Sequence, residues 1–305
     1  MIRKMAAAVA LACTLIVAAH GSAAPESGTH SPHPGPQRVT ILVDAFGTQP
    51  GFHQDWGYAA LIEYGVKRIL FDTGNDSNGF LENVQRAGVD LTRLDAVVIS
   101  HRHGDHTAGL RHLLRVNPRV RIYVPNDEAF GGPTPPVFFR QPDPALPAAM
   151  RYFGGSVPEV IPHGSAWPEA NFILVDSATQ IVPGFRVVRN ISSTQQFSET
   201  PELSLVIDTP RGQVLVVGCS HPGIERIVAS VAARDPRIFL IAGGLHLVTT
   251  PQAEVERVAR ALHDEWNVER IAPGHCTGEM AFAILQRIFG GHYGYAGVGT
   301  VIDLS

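Results

Sequence analysis

Charge is scarce in this chain and nowhere concentrated. Only 17% of its 305 residues are charged, the formal net charge is −4, and no cluster of Lys or Arg occurs. A surface that neutralises phosphates needs such a cluster, so nucleic acid is not the expected partner. Cysteine is scarcer still, with Cys13, Cys219 and Cys276 alone, which limits the chain to one disulfide. Long apolar runs are missing too. The one candidate, residues 5–19, falls short of the ~20 residues that span a bilayer. Arg3 and Lys4 precede it and Gly21-Ser22-Ala23-Ala24 follow, the three regions of a secretory signal. Residues 1–23 are therefore expected to be a signal peptide cleaved after Ala23, with a retained anchor as the rival reading. The mature protein would be periplasmic or secreted, with no membrane attachment. Cleavage removes Cys13 and leaves Cys219 and Cys276, either as a disulfide or as thiols beside a metal. Their place inside metal-like motifs favours the second.

What is present is an ordinary globular composition, 45% hydrophobic, with ample material for a core. Residues 24–38, rich in Pro, Gly, Ser and His, read as a flexible linker. A single domain follows over 39–305. Its centre of gravity is the apolar strand 95–100 and the string after it, His101-Arg102-His103-Gly104-Asp105-His106. Three imidazoles and a carboxylate within six residues, at the end of a buried strand, are metal-ligand chemistry at metal-ligand spacing. In an extended loop His101 and His103 project to one side and can share an ion, while Asp105 and His106 turn to a second.

Apolar periodicity predicts strands at 39–43, 58–64, 67–74, 120–124, 185–188, 203–207, 214–217, 237–242 and 268–272, and helices at 78–87, 110–116, 224–233, 251–266 and 279–289. Between 125 and 183 the alternation breaks down into Pro-rich stretches that suit neither helix nor central strand. The aromatics there (Phe130, Phe138, Phe139, Tyr152, Phe153, Trp167, Phe172) speak against disorder. The segment is expected either to wall an apolar substrate or to pack outside the core.

His-x-His-x-Asp-His after a buried strand resembles the signature of the metallo-β-lactamase superfamily. Ile69-Leu70-Phe71-Asp72-Thr73-Gly74, Glu202-Leu203-Ser204-Leu205, Gly218-Cys219-Ser220-His221-Pro222-Gly223, Gly243-Gly244-Leu245-His246 and Pro273-Gly274-His275-Cys276-Thr277-Gly278 are similar to the branch typified by the dihydropterin-ribofuranosylaminobenzene-phosphate synthase-like proteins. The resemblance runs from about residue 39 to 278. It implies an α/β, four-layer αββα sandwich with one or two divalent ions at strand ends. It further implies that His221 completes a site with His101 and His103, and that His275 joins Asp105 and His106. Asp72 would hold the ligand loops in place; taken alone it is equally a turn-forming Asp. His246 would contact substrate or support a ligand. Two departures stand out. Cys219 occupies the place where most members carry a metal-bridging Asp, and Glu202 the place where many relatives have a His. Each is a candidate ligand or polar neighbour of the metals.

Dominant imidazole donors make zinc the first choice for two ions, with iron or manganese next. Two ions ~3.5–4 Å apart would activate a water against an ester, lactone, amide or phosphoester of a small molecule. A non-catalytic metal-dependent binder or sensor, and a pterin-type condensing enzyme by family analogy, are the alternatives.

Overall fold

The computed structural model describes residues 35–131, 144–145, 147–151, 155–156, 166–193 and 199–305. The expected signal peptide and most of the linker lie outside them. So do Phe138, Phe139, Tyr152 and Phe153 of the expected substrate wall.

The first half of the chain builds β1 (Gln37–Val43), β2 (Ala59–Tyr64), β3 (Lys67–Phe71), α1 (Ser77–Arg86), β4 (Ala96–Val98), α2 (Gly104–Thr107), α3 (Leu110–Val116), β5 (Arg121–Pro125), β6 (Asn171–Val175) and β7 (Thr179–Val182). The second half adds β8 (Phe185–Ile191), β9 (Pro201–Thr209), β10 (Gly212–Val217), α4 (Ile224–Ala232), β11 (Ile238–Gly244), α5 (Gln252–Arg260), β12 (Arg270–Gly274), α6 (Glu279–Phe289) and β13 (Val301–Asp303). One sheet runs β13-β1-β2-β3-β4-β5-β6, the other β12-β11-β10-β9-β8-β7.

Alternation along the strands makes the layers. Ala60 and Ile62 of β2, Ile69 and Phe71 of β3, and Val214 and Val216 of β10 meet in the core between the sheets. Their neighbours point outward. Ala59, Leu61 and Leu70 pack under Phe80 and Val84 of α1 and Leu110 and Leu113 of α3, while Leu215 and Val217 pack under α4, α5 and α6 through Ile227, Val255 and Leu285. Both faces of each sheet are covered, which is why the central strands read as unbroken apolar runs. Helix, sheet, sheet and helix follow in order, the αββα sandwich.

β3, β4, β5 and β6 are mutually parallel, as are β10, β11 and β12. Their C-terminal ends fall on one rim. β9 runs antiparallel to β10, so its N-terminal end reaches the same rim. There the two halves are tied directly, the Leu203 amide donating to the Ser100 carbonyl at 2.8 Å.

Several sequence expectations need correction. β1 begins at Gln37, inside the expected linker. The irregular stretch 125–183 contains β6 and β7, an edge strand of each sheet. Phe130, Trp167 and Phe172 pack on one another with ring centroids 5.6 to 6.1 Å apart and join the outer layer beneath α1 and α3; the packing alternative holds for these three. The helix expected over 251–266 is α-helical only to Arg260. It then widens into a π turn at Ala261–Glu265, in which the Trp266 amide donates to the Ala261 carbonyl at 2.9 Å.

Candidate metal centre

The ligand loop leaves β4 and is folded around one buried carboxylate. Asp72 Oδ1 accepts from the Ser100 amide at 2.6 Å, and Oδ2 accepts from the Ser100 hydroxyl and from His106 Nδ1, each at 2.7 Å. Having donated its proton to Asp72, the Ser100 oxygen accepts from His101 Nδ1 at 2.8 Å. This network assigns the tautomers: the Nδ1 of His101 and of His106 carries hydrogen, and the Nε2 lone pairs turn inward. Ser100 also explains Gly218, where a Cβ would stand 2.3 Å from its hydroxyl. His103 presents Nδ1 only 3.0 Å from His101 Nε2.

The second sheet supplies the facing wall. Glu202, fully buried at the start of β9, accepts from the amides of Cys219, Ser220 and His221 at 2.9, 2.7 and 2.8 Å, and from His221 Nδ1 at 3.0 Å. Both carboxylate oxygens are occupied. Glu202 is thus not a ligand but the clamp that shapes the Cys219–His221 loop and directs His221 Nε2 inward. Burial alone would raise its pKa; His221 and the loop amides hold it below the ordinary value. The His221 ring lies 4.6 Å from that of His101, 4.8 Å from that of His103 and 4.7 Å from that of His246.

Two groups of donor atoms take in the ligand loop, His101 with Cys219 and His221, and His106 with Cys219 and His275, each within 4.8 Å of one another. Cys219 belongs to both, in the bridging position. Its sulfur is 3.3 Å from His106 Nε2. Asp105 Oδ2 completes the second group, 3.7 Å from His106 Nε2 and 3.4 Å from His275 Nε2. Zinc bonds of about 2.0–2.3 Å imply donor–donor edges of roughly 3.3–3.8 Å, close to these separations. His275 gives the second test of fit. It is 4% exposed, yet Nδ1 has no hydrogen-bond partner and Nε2 faces only the Asp105 carboxylate, at 3.4 Å. A buried imidazole nitrogen whose lone pair has no partner costs about 1–3 kcal/mol unless a cation takes it. The residues present fit a pair of divalent ions.

Electrostatics point the same way. Burial, with the neighbouring imidazoles, pushes His101 well below its ordinary pKa and His103 down to about 4, keeping both neutral as ligands must be. Burial would lower His106 as well, but the Asp72 and Asp105 carboxylates raise it to about 9, so a metal entering there displaces a proton. Burial works against the charge on Asp105, but His275 and His106 hold it well below the carboxylate range.

The backbone at this rim is strained. Six non-glycine residues among those described have positive φ, and four of them (Asp72, Ser220, His246 and His275, at 57, 65, 50 and 46°) sit at the centre.

Sequence reasoning missed three contributors. Asp44, fully buried just beyond β1, accepts from the His275 amide at 2.9 Å and secures that strained residue; burial pushes its carboxyl up to about 8. The signal was available, since Val43-Asp44 ends a strand as Phe71-Asp72 does. Ser100 is the second, read only as a strand end. The third is Trp56, which lies over the His275 ring at 5.0 Å and remains 48% exposed. Cys219 and Cys276 are buried free thiols, not a disulfide.

An αββα sandwich with His, Asp and Cys donors gathered from strand ends on one rim defines a metal-dependent enzyme scaffold. The chain belongs to the metallo-beta-lactamase superfamily, which it matches over residues 57–275. It is 26% identical over 271 residues, 79% of this chain and 87% of the relative, to the 7,8-dihydropterin-6-methyl-4-(beta-D-ribofuranosyl)-aminobenzene-5'-phosphate synthase of Methanocaldococcus jannaschii. Among solved structures it resembles a metal-dependent hydrolase of the beta-lactamase superfamily with a TM-score of 0.66 and 26% identity, covering 88% of this chain and 99% of that one. A diphosphatase of the PhnP family, at 13% identity and a TM-score of 0.52 over 88% of this chain and 98% of its own, shares the fold.

Proposed function

We propose that this chain is an exported hydrolase that uses two divalent ions, zinc first among them, to cleave an ester, lactone, amide or phosphoester bond in a small molecule. The observation that carries the reading is the convergence of His101, His103 and His221 on one side of Cys219, and of Asp105, His106 and His275 on the other. Ions held there would lower the pKa of a bound water toward neutrality and polarise the oxygen of the scissile group.

The chain's own residues do the rest. Asp72, Ser100 and Glu202 fix ring orientation and tautomer, so the donors are in place before substrate arrives. Asp105 is committed as a donor and does not serve as a free base. A cleft of about 500 Å³, lined by His221, Leu245, His246, Leu247 and Val258 among others, adjoins the centre and suits a small molecule. His246 stands where that cleft meets the donors and is placed to contact the substrate.

The test is an assay of the mature protein against chromogenic esters, lactones, phosphodiesters and β-lactams, with and without chelator, beside elemental analysis. Chelator-sensitive turnover with bound metal supports the reading; chelator-insensitive turnover refutes it. Bound metal with no turnover on the whole panel would favour the binder or sensor. A second reading, a pterin-type condensation, draws on the 26% identity to the archaeal synthase. Export would separate the protein from cytoplasmic cofactor synthesis and argues against it. Periplasmic fractionation and N-terminal sequencing test cleavage after Ala23.

A further inference from the structure

Two further donors stand outside the two ion positions, the Cys276 thiol, 2% exposed, and the half-buried His246 imidazole. Both stand beside Cys219: the donor atoms of Cys219, His246 and Cys276 all lie within 4.8 Å of one another. We propose that these three side chains form a third cation position, rich in sulfur, that takes a thiophilic ion of the zinc class.

The geometry of the loops supports this. Cys219, His246 and Cys276 follow β10, β11 and β12, three adjacent parallel strands, so this position is built wholly from the second sheet. The other two draw donors from both sheets. The loops that carry the three residues are bonded to each other. The Thr277 hydroxyl accepts from the Leu245 amide at 3.0 Å, the Val248 amide donates to the Cys276 carbonyl at 3.2 Å, and the Ser220 hydroxyl donates to the Gly244 carbonyl at 2.8 Å. His246 and His275, the latter immediately before Cys276, are both held in left-handed backbone conformations. Donors fixed in this way pay little ordering entropy on binding. Two sulfurs and one imidazole suit zinc and disfavour magnesium or manganese, which take oxygen donors. Three protein donors also match the usual count for a zinc site that keeps one coordination position open.

Cys219 is common to all three positions, so the inference shares that residue with the proposed hydrolase centre, but its test separates the two. The mature protein is prepared under reductant, freed of metal and loaded with cobalt or zinc. Sulfur-to-cobalt charge-transfer absorption and metal stoichiometry are then measured for the wild type, Cys276→Ser, His246→Ala and His275→Ala. The expected result is that Cys276→Ser lowers the sulfur band to about the level of one thiolate and binds about one equivalent less metal. His246→Ala, which removes a less buried donor and spares the core, should lose the same equivalent. His275→Ala should lose a different one and keep the two-thiolate band.

The inference is overturned if Cys276→Ser and His246→Ala match the wild type in band and stoichiometry, or if thiol titration of the native protein finds Cys219 and Cys276 joined as a disulfide. Wild-type protein that binds no metal at all would sink the hydrolase reading along with it. Wild-type protein that binds metal with no contribution from residue 276 or 246 would sink this inference alone.

Discussion

Replacing Glu202 with glutamine changes one buried oxygen to an amide NH2 and leaves the shape intact. The wild-type carboxylate serves four donors, the Cys219 and Ser220 amides on one oxygen and the His221 amide and Nδ1 on the other. In either orientation the glutamine NH2 faces two of them. Each buried donor left without an acceptor costs about 1–3 kcal/mol, so the variant should lose roughly 2–6 kcal/mol. One escape is open to the metal-free protein: His221 can move its proton to Nε2 and let Nδ1 accept. That relief removes the lone pair the metal needs. The metal-free variant should therefore be destabilised by about 1–3 kcal/mol, and the remainder should appear as weaker metal binding, roughly tenfold or more. Urea unfolding followed by circular dichroism, with and without zinc, reads the first quantity, and competition with a chromophoric chelator reads the second. An unchanged unfolding midpoint together with unchanged zinc affinity would refute the clamp. The pH dependence gives a further check on metal-free protein. The folded pKa of Glu202 lies below its ordinary 4.5, so its contribution is present above 4.5 and is lost as pH falls through the depressed folded value. The glutamine variant should show a flatter acid limb.

Other outcomes follow from the same geometry. Gly243→Ala places a Cβ 1.9 Å from the Val217 carbonyl oxygen at a φ of +116°, and should cost several kcal/mol or prevent folding, read as loss of soluble protein or a lowered unfolding midpoint. His101→Ala and His275→Ala should each lose a different part of the metal complement; elemental analysis showing the same loss for both would contradict the two-group arrangement. Zinc at about 100 times its Kd should add roughly 2.7 kcal/mol and raise the Tm by about 5–10 °C, and chelator should reverse the shift in a thermal scan.

The residues whose chemistry is rare were legible in the sequence. His101 to His106 announce themselves by donor density, and His221, Cys219 and His275 by the short strings around them. Glu202 stayed open between ligand and polar neighbour because its role depends on amides seventeen to nineteen positions away that only the β9–β10 pairing brings to it. Asp44 shares the strand-end pattern of Phe71-Asp72, but that pattern names no partner, and its partner is 231 residues distant. The central strands and the helices α3 and α6 follow directly from apolar runs and periodicity. β6, β7 and β13 escaped because short edge strands bury little and carry a weak pattern. The π turn after Arg260 escaped because it keeps the helical apolar stripe.

All the donors lie on one rim of the sandwich, and this divides the molecule for anyone who would rebuild it. A truncation before Pro273 would discard His275 together with α6, which covers the second sheet, and β13, an edge strand of the first, so the donors and the fold are lost at once. The far rim carries the tight turns at Gly65–Val66 and Pro210–Arg211, where Val66 is 78% exposed and no donor is nearby. Tags, linkers or grafted loops belong there.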